Sequence, residues 1–143
     1  NKQVQQTTQE KQANTSSTSQ TLFNLKLLAY ERIILFIERI KPDSFIPRTL
    51  SPSLPYQEYQ LLLINEIRKE FEYNLSQQLY LSENAWEVTV NFKDNIITLI
   101  NSAATSCPPQ ATASDLARKI LEHYISSDLK GDQISKIVKA EIQ

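Results

Sequence analysis

Apolar residues recur at steps of three and four along most of this chain, and the pattern predicts a succession of helices. Over residues 22–41, Phe23, Leu27, Tyr30, Ile34 and Ile37 form one row, and Ile33, Phe36 and Ile40 form a second. At ~100° per residue the two rows merge into an apolar surface wider than a simple amphipathic stripe, so this helix is expected to be central. Pro42 ends it, because the residue before a proline is pushed out of the helical region. Residues 56–81 follow, with Pro55 suited to the first turn. Leu63 or Ile64, Ile67, Phe71, Leu75 and Leu79 mark the expected buried face. The outer face pairs its own charges, Glu66 with Lys69, Glu70 nearby, and Arg68 with Glu72.

Ser82 has the character of an N-cap, with Glu83 and Glu87 near the positive end of the next helix dipole. The segment it opens, residues 83–105, carries two patterns. "WEVTVNFK" alternates apolar and polar and is rich in β-branched side chains, and with "KDN" as a turn and "IITLI" after it this is a credible β-hairpin. Phe92, Ile96, Leu99 or Ile100, and Ala103 fit a helical row instead. A lone two-stranded hairpin is only marginally stable, and helix is the expectation. Thr112 and Asp115 then have capping-box spacing before a helix over 113–126, with Leu116, Ala117, Ile120, Leu121 and Tyr124 inward. After Gly131 a short helix over 132–142 carries Ile134, Ile137 and Val138.

Two stretches break the pattern. Residues 1–20 are rich in Gln, Thr and Ser with one aliphatic residue, Val4, and read as a disordered tail or linker rather than a helical stalk. Residues 42–55, "PDSFIPRTLSPSLP", hold four of the six prolines and read as a long connector that packs down through Phe45, Ile46, Leu50 and Leu54. The expected architecture is all-α: a single-domain bundle of four to five helices spanning residues 21–143, preceded by the polar tail.

Composition narrows the chemistry. The 143 residues suffice for one packed domain without disulfide or metal. A net charge of −1 gives poor support for nucleic-acid binding, which needs clustered Lys and Arg. The single glycine excludes the usual P-loop and dinucleotide-loop forms. Cys107 is the only cysteine, so no internal disulfide forms. No apolar run reaches the ~20 residues that span a bilayer. The chain contains no methionine and is expected to be a processed or excised piece.

Catalytic groupings are scarce. His123 is the only histidine, and a nucleophile–base pair with Cys107 would lack a glycine-lined oxyanion site. A di-iron bundle would need Glu-x-x-His on two helices, which one histidine cannot supply. EF-hand spacing is missing too. No catalytic residue, metal ligand or cofactor site is assigned, and the aromatic residues read as core and rim.

One feature stands out. "AYERIILFIERIKP" carries Glu-Arg twice at a spacing of seven: Glu31-Arg32 and Glu38-Arg39. Glu31 and Glu38 lie at nearly one angle, Arg32 and Arg39 at another about 100° away. Leu28 and Leu35, also seven apart, sit between the two rows. Inside the predicted helix over 22–41, only Glu38 of the four has an opposite charge three or four residues away, at Lys41. Such a leucine ridge with charged flanks matches the surface of a helix that pairs with another helix. The Arg row is expected to meet acidic groups on the second or third helix; alternatively, the ridge docks another chain. Leu28, Glu31, Arg32, Leu35, Glu38 and Arg39 are therefore the candidate interaction surface.

The segments "LLAYERIILFIERIKPDSFIPR", "EIRKEFEYNLSQQLYLSENAWE", "LINSAA" and "ATASDLARKIL" resemble an uncharacterised Bacteroidetes family with a domain of unknown function. The resemblance covers roughly residues 22–126, and "EFEYNLSQQLYLSENAWE" is its most specific part. It implies an N-terminal membrane helix, absent from this chain, ahead of a helical domain, with residues 1–20 as a juxtamembrane linker. It favours helix over hairpin for residues 83–105. The expected role is a non-enzymatic interaction or scaffold domain at the cytoplasmic side of the inner membrane, with a protein partner or self-association and no nucleic acid. The alternative is a small-molecule or lipid-binding bundle with a pocket under residues 42–55, lined by Phe45, Tyr56 and Tyr59.

Overall fold

A computed structural model describes the backbone of residues 2–142 and the side chains of residues 15–141. Among the described residues there are six α-helices, one 3-10 segment and no strand. The helices are α1 (Lys2–Ile40), α2 (Pro42–Thr49), α3 (Tyr56–Tyr73), α4 (Glu83–Thr105), α5 (Ala113–Ile125) and α6 (Gln133–Ile142), with the 3-10 segment at Leu75–Tyr80. The all-α expectation holds, with more elements than the four to five anticipated.

The helical reading of residues 83–105 holds to the residue. Ser82 caps α4, its hydroxyl accepting from the Ala85 N–H at 3.0 Å. Burial falls at Ala85, Thr89, Phe92, Ile96, Leu99, Ile100 and Ala103, steps of three and four that no strand could place on one face. Thr89, the one polar residue in that row, donates its hydroxyl to the Ala85 carbonyl at 2.8 Å, so its burial leaves no unmet donor. The expected alternation dissolves, because Val88 and Val90 are only partly buried.

α4 packs against α1, α3, α5 and α6 and forms the middle of the bundle. α1 in turn packs against α2, α3, α4, α6 and the 3-10 segment. α1 buries Ala29, Tyr30, Ile33, Phe36, Ile37 and Ile40 and lies along one side, with its other face outward. Phe23 and Leu27, placed in its apolar row by spacing, sit where the body of the bundle ends and are exposed.

Three further expectations are corrected. Residues 2–20 are not an irregular tail but continue α1 as a helical stalk. The anchored turns of α1 supply the nucleus, and each further residue adds one hydrogen bond without a new nucleation cost. The segment 42–55 is not all connector: Pro42 ends α1 and also opens α2 from the first-turn position, with Lys41 extended at its N-cap. Finally, the second helix does not run to residue 81. Asn74 leaves helical geometry and its side-chain amide donates to the Glu70 carbonyl at 2.8 Å. The 3-10 segment then turns at ~3 residues per turn, which takes Leu75 and Leu79 out of phase with α3. Leu79 is 80% exposed and Leu75 44%, while Gln77 is buried in their place.

The remaining joints are tight. An isolated bridge joins Pro55 to Thr112, with the Tyr56 N–H donating to the Ala111 carbonyl at 3.1 Å and the Ala113 N–H to the Leu54 carbonyl at 2.7 Å. Thr112 and Asp115 form the expected capping box at the start of α5. Glu141 near the end of α6 accepts from the Ser82 hydroxyl at 2.5 Å, which fastens the C-terminal helix to the head of α4.

Candidate docking surface

The outward face of α1 carries the six residues singled out by spacing. Burial of Ile33, Phe36, Ile37 and Ile40 fixes the helix's rotation, so the opposite arc must face solvent. Leu28 is 49% exposed and Leu35 55%, and Glu31, Arg32, Glu38 and Arg39 are exposed around them. None of the described residues covers the ridge.

The flanking charges divide into two sets. Arg39 meets α3 as the intramolecular reading expected: its Nη2 lies 2.8 Å and its Nε 3.2 Å from Glu70 Oε1. Arg48 of α2 approaches the same oxygen at 3.5 Å and donates through Nη2 to the Arg39 carbonyl at 2.8 Å. Glu70 was placed by spacing on the outer face of its own helix, yet it turns to α1 and is largely covered. Its partner is 31 positions away, where counting i±4 neighbours finds nothing. Arg68 and Glu72, expected to pair, form no ion pair among the described residues. Glu38 pairs with Lys41 at 2.5 Å, one turn on. Glu31 and Arg32 make no ion pair among the described residues and stay open to solvent, side by side between Leu28 and Leu35.

Grooves run along both sides of the ridge. On the Glu side a cleft of about 330 Å³ is lined by Leu27, Tyr30, Glu31, Ile34, Leu35 and Val138. On the Arg side one of about 270 Å³ is lined by Arg32, Leu35, Phe36, Arg39, Glu70 and Tyr73, among others. Leu35 belongs to both walls and is the crest between them. Spacing alone did not find Tyr73 or Val138 as groove residues; both come from elements distant in sequence. The phenol of Tyr30 is buried at the floor of the Glu-side cleft with no hydrogen-bond partner.

The other candidates fare differently. Phe45 and Tyr59 are closed into the core, and the Tyr59 hydroxyl lies 2.9 Å from Thr49 Oγ1. Burial raises the Tyr59 pKa above that of a free phenol, against a smaller lowering by the Thr49 contact. Tyr56, the third residue expected to line a pocket beneath residues 42–55, is half-buried. Cys107 Sγ rests 3.8 Å from the Ala103 carbonyl, whereas His123 borders an open depression with Asn95, Ser102 and Ser127. Among the described residues no group of three or more His, Cys, Asp or Glu is placed to hold a metal ion. No helix among them is long and apolar enough to cross a membrane.

The whole chain, residues 1–143, matches a family model described as Family of unknown function (DUF7935). Neither a curated protein nor a solved structure matches it.

Proposed function

The chain belongs to this family of unknown function, and from its surface we propose that it is a non-enzymatic interaction domain that docks through the outer face of α1. The observation that carries the proposal is the exposed Leu28–Leu35 ridge, with Glu31 and Arg32 beside it making no ion pair among the described residues. Leucines exposed at a heptad spacing between charged rows suit a helix that receives another helix. In this reading α1 also acts as a spacer. Its 39 residues reach ~58 Å at 1.5 Å per residue, and the polar N-terminal part holds the bundle away from a membrane anchor lying outside this segment. The resemblance to proteins with an N-terminal membrane helix supports that tether, with the bundle on the cytoplasmic side of an inner membrane.

Photo-crosslinking tests the docking face. A photoreactive residue at position 35 of the full-length protein, in its own membrane, is expected to yield an adduct with another polypeptide. The same residue at position 61, an exposed site on α3, is expected to yield none. Absence of an adduct at position 35 contradicts the proposal.

A further inference from the structure

We propose that the occupant of the α1 ridge is a second copy of this chain, docked with the two α1 helices parallel. The inference rests on the docking reading above and adds the partner's identity and direction. Its warrant is the distribution of charge about the ridge.

The ridge carries both signs in equal number: Glu31 and Glu38 on one flank, Arg32 and Arg39 on the other. A partner of single charge would attract one flank and repel the other. A copy of the same surface offers both signs at the same spacing, as a self-complementary interface about a two-fold axis requires. The direction of pairing follows from symmetry. When two identical helices lie parallel about a two-fold along their length, the left flank of each faces the right flank of the other, so the Glu row meets the Arg row. When they lie antiparallel, the axis crosses them at right angles and like flanks meet: Glu faces Glu and Arg faces Arg. Charged flanks set orientation in paired helices, and like charges across such a seam are repulsive. The parallel arrangement alone satisfies this pattern.

Glu31 and Arg32, the two ridge charges without an ion pair among the described residues, are the ones this arrangement uses first. Glu31 of each copy reaches Arg32 of the other, with Leu28 and Leu35 stacked on their counterparts above and below. Glu38 and Arg39 already have Lys41 and Glu70 and contribute less. Each groove beside the ridge receives the opposite flank of the partner: the Arg-side groove takes Glu31 and the Glu-side groove takes Arg32. Parallel docking sends both stalks out from the same end of the pair. That is the geometry two chains tethered to one membrane need, and tethering raises their effective concentration to the millimolar range.

The test uses single cysteines in a Cys107→Ser background. Leu28→Cys and Leu35→Cys are surface changes that the fold tolerates, which circular dichroism verifies. Mild copper–phenanthroline oxidation of each variant alone is expected to give disulfide-linked dimers, well above the level from Leu61→Cys. A mixture is expected to link position 28 to 28 and 35 to 35. Preferential linkage of 28 to 35 overturns the parallel arrangement. Linkage no greater than the position 61 control overturns the second copy as occupant; a photo-adduct with a different chain at position 35 would then leave the docking reading standing. A charge swap gives an independent readout. Arg32→Glu is expected to weaken self-association about tenfold, and adding Glu31→Arg to it is expected to restore the original affinity. Failure of the double variant to recover contradicts the Glu31–Arg32 pairing.

Discussion

At the residue scale, small groups in special positions hold the fold at its joints. Gly131, at φ +69°, occupies the left-handed region just before α6. A Cβ there would meet Lys41 Cε at 2.6 Å, Ile37 Cγ2 at 3.1 Å and Phe92 Cε2 at 3.3 Å. The lysine stem can swing away, but the core atoms of Ile37 and Phe92 have little room. Gly131→Ala is therefore expected to cost about 1–2 kcal/mol in urea unfolding, from backbone strain plus crowding. Asp115 accepts from the Thr112 N–H at 3.0 Å, and this bond, ahead of the Thr112 hydroxyl and the nearby Arg118 and Lys119, lowers its pKa below the usual carboxylate value. A lowered folded-state pKa stabilises the protein above the unfolded value and loses that contribution as pH falls through the folded value. The unfolding midpoints of the wild type and Asp115→Asn are thus expected to differ most above pH ~5 and to converge as pH drops through the Asp115 titration. Both caps, at Ser82 and at Thr112–Asp115, were legible because capping is local in sequence. The Arg39–Glu70–Arg48 group was not, because its three members come from three helices.

At the element scale, periodicity located α1, α3, α4, α5 and α6 but not α2, whose buried Pro42, Phe45 and Ile46 make barely two turns in a proline-rich stretch. α4 shows why the helical reading prevailed over a β-branched composition: tertiary burial at steps of three and four outweighs a weak local strand preference. Ile96→Ala, at a fully buried position of α4, is expected to cost about 2–5 kcal/mol, whereas Ile125→Ala on the exposed end of α5 should stay within about 0.5 kcal/mol. Both are read from denaturant midpoints. Periodicity failed where the phase changes. The switch to 3-10 geometry after Asn74 rotates Leu75 and Leu79 outward, and no spacing rule carries across such a switch. It also failed for the stalk, whose composition is poor in apolar residues but free of Gly and Pro, so an existing helix can run through it. Residues 15–24 of that helix are exposed. Removing residues 1–20 is accordingly expected to leave the stability of the bundle unchanged within about 0.5 kcal/mol. In hydrogen exchange those amides should be the fastest of α1 and those around Phe92–Ala103 the slowest in the molecule.

At the scale of the whole molecule, the arrangement around α4 decides what the surface can do. α1 packs one face against α2, α3, α4, α6 and the 3-10 segment and keeps the opposite face, with Leu28 and Leu35, outward. The six-residue surface on that face was legible from the repeat alone, down to the angle between the Glu and Arg rows. Its open state was not, since a sequence does not show which helix face a bundle leaves uncovered. Nor were the grooves, whose far walls come from Tyr73 and Val138. The proposal that this face meets a second copy rests on that open ridge and its two charged flanks. Sedimentation equilibrium of residues 1–143 up to millimolar concentration tests it most directly. A reversible monomer–dimer equilibrium, from 16.4 kDa to twice that mass, that Leu35→Glu abolishes without unfolding the bundle is the expected result. A monomer at every concentration, or a dimer indifferent to Leu35→Glu, would contradict it.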